Sequence, residues 1–403
     1  MLLGLVGLLD PPRPGVGQAI AACRRAGIKV TMVTGDYGLT AEAMARRIGL
    51  LDAPPHAEHD PVRVINGSDL SRLSDAQLRQ LLRYRSRLVF ARMAPEQKLR
   101  LVHAYRSLGE VVAVTGDGVN DAPALRAADV GIAMGRGGTD VAREAADIVL
   151  LDDNFATIVS AVRHGRGVYN NIRRFILYIL ASNVAEVAPF LSMLALRIPA
   201  ALTVLQILAV DLGTDLLPAL GLGAEPPGSE VMNRPPRHRD APLLDRPLLR
   251  EAYLFFGLLE GLLAMTGYGL SWWSHGVTLP ELRTLAVDLL HHRASPAVVA
   301  MQHQASAVAL GSILCAQVGT ALACRGHGRR RPNALLLAGI ALELLIFPLL
   351  QGWPPLAGTF QMAPIPSQLW WWLLVCSPAP LLAQQLRLAW RNHHHAPNNR
   401  VVA

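Results

Sequence analysis

The chain has 403 residues, 51% of them hydrophobic and only 17% charged. Its formal net charge of +8 comes from arginines clustered between apolar runs, a placement that reports membrane topology and argues against a nucleic-acid partner. The four cysteines, Cys23, Cys315, Cys324 and Cys376, include no CxxC pair, so neither a disulfide framework nor a thiolate metal site is expected.

Met1–Leu9 is too short for a signal peptide, and Asp10-Pro11-Pro12-Arg13 follows at once. Leu2–Leu9 therefore reads as a buried strand, with something upstream expected to be missing. Short apolar, often β-branched runs continue at Lys29–Thr34, Leu88–Arg92, Val111–Thr115, Val130–Met134 and Ile148–Leu151. Helical patterns lie between them, at Pro14–Ala26, Leu39–Ile48, Pro95–Ser107 and Ala122–Ala128. The alternation predicts a mostly parallel sheet with helices on both faces over residues 1–153. The Pro-, His- and Asp-rich stretch from Leu51 to Asp75 reads as a surface excursion. Two strands end in the same tripeptide, at Thr34-Gly35-Asp36 and Thr115-Gly116-Asp117. Ligands bind at strand C-terminal ends in such sheets.

Six apolar runs then predict an all-α membrane domain of six transmembrane helices. They are Phe175–Leu196, Ile198–Ala224, Ala252–Ser274, Gln304–Cys324, Ala334–Leu350 and Ser367–Ala383. The expected division is a soluble domain at 1–153, a stalk with the first two spans at 154–224, and the last four spans with arginine-rich loops at 225–403. Five arginines lie between Pro226 and Arg250 and four between Arg325 and Pro332. The opposite loops carry only Arg197, Arg283 and Arg293. This bias places the soluble domain in the cytoplasm of a multi-pass cell-membrane protein.

The strongest motif is Thr115-Gly-Asp-Gly-Val-Asn-Asp-Ala-Pro-Ala-Leu125. It brings Asp117 and Asp121 onto one loop after a strand, a pairing of carboxylates suited to Mg²⁺. Gly116 and Gly118 are expected to let that loop turn tightly. The segment closely resembles the hinge motif of P-type ATPases, within the haloacid-dehalogenase-like superfamily. Asp10-Pro-Pro-Arg13, Thr34-Gly-Asp36, Ala91-Arg-Met-Ala-Pro-Glu-Gln-Lys98, Gly131-Ile-Ala-Met-Gly135 and Asp152-Asp-Asn-Phe155 resemble further blocks of that family, in family order. The resemblance implies an α/β, Rossmann-like haloacid-dehalogenase domain, here incomplete, that uses Mg²⁺ and ATP. It implies that Thr34 hydrogen-bonds a phosphoryl group, with Gly35 and Asp36 beside it. Lys98 would neutralise phosphoryl charge, and Asp117 would hold Mg²⁺ with Asn120 and Asp121 in support. Asp10, Arg13, Thr34, Gly35, Asp36 and Gly116 fall on the nucleotide side. Lys98 has independent support as one of only two lysines, with Lys29, among 38 basic residues. That suggests a need for a compact ammonium there. The family's phosphorylated aspartate lies in an Asp-Lys-Thr-Gly-Thr block, and no Asp-Lys dipeptide occurs in this sequence.

Charged residues within apolar spans are costly and usually functional. Asn183 and Glu186 lie three residues apart, on one helix face, with Ser182 adjacent and Pro189 expected to kink the helix. Asp211, Thr214 and Asp215 are expected to share a face of the next span. Together these residues offer an all-oxygen set for a hard cation. Here the resemblance narrows to the P2 pumps for Ca²⁺ or for Na⁺/K⁺ and H⁺/K⁺, closer to the Na⁺/K⁺ type at Asp211. Gln317 and Glu343 match that group, while Thr320 departs from an expected aspartate. The expected ion residues are Ser182, Asn183, Glu186, Asp211, Thr214, Asp215 and Gln317. Glu260 reads either as a snorkelling or bundle-paired residue or as an ion residue; the remaining features read as an interfacial aromatic belt at Trp370–Trp372 and a solvated tail at His393–His395.

The sequence is thus expected to be the C-terminal part of an ATP-driven cation pump in a lipid bilayer. Its missing domains would lie upstream or on a complementary chain. The competing expectation is a catalytically inactive membrane fragment or half of a split pump. A membrane-anchored phosphatase fails for want of a nucleophile.

Overall fold

The computed structural model describes residues 11–51, 63–325 and 332–394. The expected strand Leu2–Leu9, Asp10, Arg329–Arg331 and His395 lie outside the described residues. The chain divides into two compact units, residues 1–166 with 227–241 and residues 167–226 with 242–403. The boundary read at residue 153 therefore falls at Arg166, within the helix Phe155–Leu196. The arginine-rich segment Pro227–Ala241 joins the first unit, and the Arg166 guanidinium is one reason. It donates to the carbonyls of Val231 at 3.0 Å, Arg234 at 2.9 Å and Ala26 at 3.0 Å.

In the first unit, β1 (Thr31–Val33), β2 (Arg63–Asn66) and β3 (Leu88–Ala91) form a sheet in the order β1-β3-β2. Then β4 (Ala113–Gly116), β5 (Val130–Met134) and β6 (Ile148–Leu150) form a second, in the order β4-β5-β6. Every ladder is parallel, with Thr31 and Arg63 both paired to Leu88, and Val114 paired to Gly131. A single sheet was expected; among the described residues no ladder joins β1 to β4. The central strand β3 is buried at all four positions, as a parallel strand covered on both faces must be. Leu88 and Phe90 pack with Leu70, Leu78 and Leu82 on one face, and Val89 and Ala91 with Ile20, Ala41 and Ala45 on the other. β2 falls inside the stretch read as a surface excursion. Its Pro- and His-rich approach hid a short strand followed by the helices Gly67–Arg72 and Asp75–Tyr84. The second of these opens with a capping box, in which Ser74 Oγ accepts from Gln77 N at 3.3 Å and Gln77 Oε1 from Ser74 N at 2.9 Å.

Among the described residues, five helices of the second unit and the helix entering it are long and apolar enough to cross a membrane. They are Phe155–Leu196, Val204–Gly223, Arg246–Ser274, Pro296–Arg325 and Ala334–Gly352. The sixth expected span is instead broken into Trp370–Cys376 and Ala379–His394. Pro378 sits at the break, where it supplies no backbone N–H. Small residues set the packing. A Cβ at Gly261 would stand 2.7 Å from Ala188 Cβ, and one at Gly339 would stand 2.7 Å from Pro218 N. Helix Arg246–Ser274 thus lies directly on the helix carrying Glu186, and Ala334–Gly352 directly on the helix carrying Asp215.

Candidate functional site

Three loops converge at the C-terminal ends of β1, β3 and β4. Thr34 N donates to Phe90 O at 2.8 Å, Met93 N to Thr34 O at 3.1 Å, and Arg92 N to Asp36 O at 2.9 Å. The Thr34 loop is therefore fixed to the loop that starts the Lys98 helix, Pro95–Ser107. Thr34 Oγ1 donates to Asp36 Oδ2 at 2.9 Å and accepts from Asp36 N at 3.1 Å. Lys98 Nζ reaches across to Asp121 Oδ1 at 2.7 Å and so ties in the third loop. The other oxygen, Asp121 Oδ2, accepts from the backbone N–H groups of Asp117 at 3.3 Å and Gly118 at 3.2 Å. Asp121 is thus the organiser of this loop, whereas Asp117 and Asn120 are exposed at its tip. Thr139 N holds the Asp117 backbone oxygen at 2.8 Å.

The glycines of the motif differ in role. A Cβ at Gly116 would lie 2.4 Å from Asp121 Cβ, so only glycine lets Asp121 fold beneath the strand end. Gly118, with φ −106°, has ordinary room for a Cβ, and Gly35 has nothing within 4 Å. Arg13, read as a nucleotide-side residue, is engaged elsewhere. Its Nη1 donates to Asp153 O at 2.6 Å, and Nη2 lies 3.7 Å from Asp153 Oδ2. Asp153 is only 4% exposed and accepts from Arg136 N at 3.0 Å and Gly137 N at 2.8 Å. The hydrogen bond from Arg136 N is the chief reason its carboxyl is held below the ordinary carboxylate range.

The second candidate site lies between helices of the second unit. Carboxylate oxygens of Glu186, Asp211 and Asp215 all lie within 4.8 Å of one another. Glu186 and Asp215 are 5% and 2% exposed, while Asp211 is exposed. The local cause is a widened turn at Val210–Thr214, in which Asp215 N donates to Val210 O at 3.0 Å. Such π-type turns interrupt regular helices at functional sites. Thr214 Oγ1 also donates to Val210 O, at 2.9 Å, so this hydroxyl is turned to the backbone. Pro189 and Pro218 supply no N–H, which leaves the carbonyls four residues earlier, Ala185 and Thr214, without the usual helical donor.

Neutral groups surround Asp215. Ser182 Oγ donates to Oδ2, Tyr178 OH to Oδ1 at 3.2 Å, and Gln317 Nε2 to Oδ2 at 3.2 Å. Ser182 Oγ also stands 3.4 Å from Glu186 Oε1. Asn183, expected beside Glu186, is exposed; Ser182, one full turn before Glu186, takes that place. Tyr178 was missed, although Tyr178, Ser182 and Glu186 repeat at the four-residue interval of a helix face.

Residues 199–390 match the family model for the cation transporting ATPase C-terminus, and residues 1–129 that for haloacid dehalogenase-like hydrolases. The chain belongs to the P-type cation-transporting ATPases. It is 39% identical over 392 residues to a calcium-transporting ATPase of Bacillus subtilis (strain 168), covering 96% of this chain and 40% of that protein. It is 43% identical over 306 residues to the human sodium/potassium-transporting ATPase subunit alpha-4, covering 72% of this chain and 29% of that protein. A sodium/potassium-transporting ATPase subunit alpha of Drosophila melanogaster is 43% identical over 276 residues, or 64% of this chain and 26% of that protein. The chain thus spans at most 40% of the length of these relatives. As a P-type ATPase chain with a haloacid-dehalogenase-like domain and apolar spans, it is a multi-pass membrane protein with a soluble domain.

Proposed function

We propose that this chain supplies the phosphate-handling loops and the ion-binding helices of an ATP-driven cation pump. The observation that carries the reading is the Glu186, Asp211 and Asp215 cluster, three carboxylates within 4.8 Å on apolar helices. Ionised carboxylates brought so close repel one another, and a bound hard cation turns that repulsion into ligation. Ser182, Gln317 and the freed carbonyls of Ala185 and Thr214 supply neutral oxygens; Asn183 and Thr214 Oγ1 are the weaker candidates. The cation is Ca²⁺ or Na⁺/K⁺, in keeping with the names of the relatives.

The loops of the first unit suit Mg²⁺ and a phosphoryl group. Asp117 is an exposed carboxylate beside Asn120, and Asp121 already has partners on both oxygens. Asp117 would therefore hold Mg²⁺, with Asp121 orienting the loop. When bound, Mg²⁺ screens phosphoryl charge. Thr34 Oγ1 and the Lys98 ammonium are the chain's own donors to phosphoryl oxygens, with Gly35 and Asp36 shaping the turn. The triphosphate donor is ATP, the nucleotide the family uses. Arg13 is tied to Asp153, which makes it a weaker candidate for the nucleotide than Thr34 and Asp36. The soluble unit lies on the cytoplasmic side.

The aspartate that would be phosphorylated is supplied by a segment bearing Asp-Lys-Thr-Gly-Thr, upstream or on a complementary chain. The test is to join or co-express this chain with that part of the Bacillus subtilis relative, reconstitute vesicles and measure ATP-driven uptake of ⁴⁵Ca²⁺ and ²²Na⁺. Uptake that vanishes with Glu186→Gln plus Asp211→Asn is expected. Full uptake by that double variant would sink the ion-site assignment. Phosphoenzyme formation by residues 1–403 alone would contradict the need for a second segment.

A further inference from the structure

Asp153 is the one carboxylate of the soluble unit that is nearly fully buried among the described residues, and neither candidate site uses it. Its φ of 51° lies in the left-handed region, which aspartate and asparagine enter more readily than most side chains. The two carboxylate oxygens reach the same loop: Oδ1 accepts from Arg136 N and Oδ2 from Gly137 N. Arg13 Nη1 holds the backbone from the other side, donating to Asp153 O at 2.6 Å and to Asp152 O at 3.4 Å. A charged acceptor with two backbone donors makes a stronger tether than neutral partners would.

The loop that Asp153 grips, Gly135–Thr139, leaves the C-terminal end of β5 and ends on the Thr115–Leu125 motif. Gly135 N donates to Leu150 O at 2.8 Å, and Arg143 Nη1 donates to the carbonyls of Gly135 at 2.7 Å and Gly138 at 3.0 Å. A Cβ at Gly138 would collide with Met134 O, so glycine lets the loop fold back over the strand end. Its last residue, Thr139, donates its backbone N–H to Asp117 O at 2.8 Å. The other neighbour of Asp153 is the start of the helix Phe155–Leu196. There Asn154 Oδ1 accepts from Ala156 N at 3.0 Å, and Thr157 Oγ1 donates to Asp152 Oδ2 at 2.6 Å. From that cap the helix runs unbroken to Glu186 and beyond.

Asp117, the Gly135–Thr139 loop, Asp153 and the first turn of the long helix therefore form one contiguous chain of hydrogen bonds. We propose that Asp153 is a positioning residue that clamps the Gly135–Thr139 loop to the start of the helix Phe155–Leu196, so that ordering of Asp117 by Mg²⁺ also orders the base of that helix. Asp153 touches neither the ion nor a phosphoryl group. The proposal rests on the reading of Asp117 as the Mg²⁺ ligand and adds the residue through which that loop is joined to the helix.

The test is amide hydrogen exchange of the purified full chain in detergent, with and without millimolar Mg²⁺. In the unaltered chain Mg²⁺ should slow exchange at Gly116–Asp121 and, by at least about threefold, at Ala156–Ser160. Asp153→Asn keeps a side chain suited to the left-handed backbone but offers one acceptor to two donors. This variant should keep the Mg²⁺ effect at Gly116–Asp121 and lose it at Ala156–Ser160. Gly137→Ala, whose Cβ would stand 3.3 Å from Asp153 Oδ2, should reduce the second effect in the same way, and it decides the matter if Asp153→Asn does not fold. Slowing that persists at both segments in the variants overturns the proposal. Slowing lost at both segments marks a merely structural role and overturns it as well. An unaltered chain protected at Gly116–Asp121 alone overturns the clamp and leaves the Mg²⁺ reading standing. An unaltered chain that Mg²⁺ protects at neither segment overturns both.

Discussion

Asp121 holds the loop of the Thr115–Leu125 motif by three bonds, one from the Lys98 ammonium and two from backbone N–H groups. All three depend on the absence of a side chain at residue 116. Gly116→Ala puts a methyl group 2.4 Å from Asp121 Cβ, and neither atom is the far end of a flexible chain. Either the strand end or the Asp121 backbone must move. We expect a loss of about 1–3 kcal/mol in a denaturant melt of the soluble unit's signal, and wild-type stability in Gly116→Ala would show that the loop has slack. Asp153 carries a pH-dependent contribution. Its folded pKa is depressed, first by the hydrogen bond from Arg136 N. Stability from this group is therefore present above the unfolded aspartate pKa of about 3.9, and it is lost as pH falls through the lower folded value. Asp153→Asn should lower the melting temperature at neutral pH, with the gap to the unaltered chain closing below about pH 4. A gap that is constant with pH would mean that packing, and not charge, is what Asp153 provides.

The helices that carry Glu186, Asp211 and Asp215 are irregular beside those carboxylates. Pro189 and the widened turn at Val210–Thr214 both free backbone groups that a regular helix would pair. A proline inside a helix costs about 3 kcal/mol relative to alanine in soluble hosts, so its place one turn from Glu186 needs a return in function. Pro189→Ala should restore the bond to the Ala185 carbonyl, raise thermal stability, and weaken Ca²⁺ or Na⁺ binding in dialysis. Unchanged binding would remove that carbonyl from the ligand set. The segment Pro227–Ala241 shows a different element-level device. Its arginines read as topology markers, yet Arg239 Nη2 pairs with Asp129 at 3.4 Å and Arg166 gathers three backbone carbonyls. Arg166→Ala should release this segment and speed its cleavage by trypsin, with no change in cleavage elsewhere in the soluble unit. Equal rates would mean that other contacts hold it.

Across the whole chain, what the sequence disclosed was local. The Thr115–Leu125 motif, the Lys98 position, five of the spans and the carboxylates within them all rest on spacing within a few residues. Glu260 with Thr320, 60 residues apart, and Gln317 with Ser182, 135 apart, are joined only by helix packing, and no periodicity encodes that. The same limit applies to β2, a four-residue strand without an apolar pattern of its own, and to the loss of Arg13 to Asp153 across the soluble unit. The sixth span is the point where the sequence pattern and the fold diverge. Its composition is apolar, but the helix breaks between Cys376 and Ala379.

Whether that broken helix still crosses the bilayer decides the side on which the chain ends. By the arginine bias, Ser229 is expected on the cytoplasmic face and His291, between the third and fourth candidate spans, on the opposite face. Both residues are exposed, as is Arg391 near the end of the last described helix. Native thiols give little background, since Cys23, Cys324 and Cys376 are buried, half-buried Cys315 lies within the candidate span Pro296–Arg325, and burial raises the Cys23 thiol pKa. Single cysteines at these three positions, probed with a membrane-impermeant maleimide on intact cells, separate the alternatives. His291→Cys should react at once and Ser229→Cys only after permeabilisation. If the Trp370–Cys376 and Ala379–His394 pieces together make a crossing, Arg391→Cys behaves like Ser229→Cys. If the break at Pro378 turns the chain back, Arg391→Cys reacts on intact cells. The first outcome is expected, because two helical pieces broken at a proline can still traverse a bilayer when neighbouring helices cover the freed backbone. Gly319 lies against Ser377 O and Pro380 at this break and provides that cover.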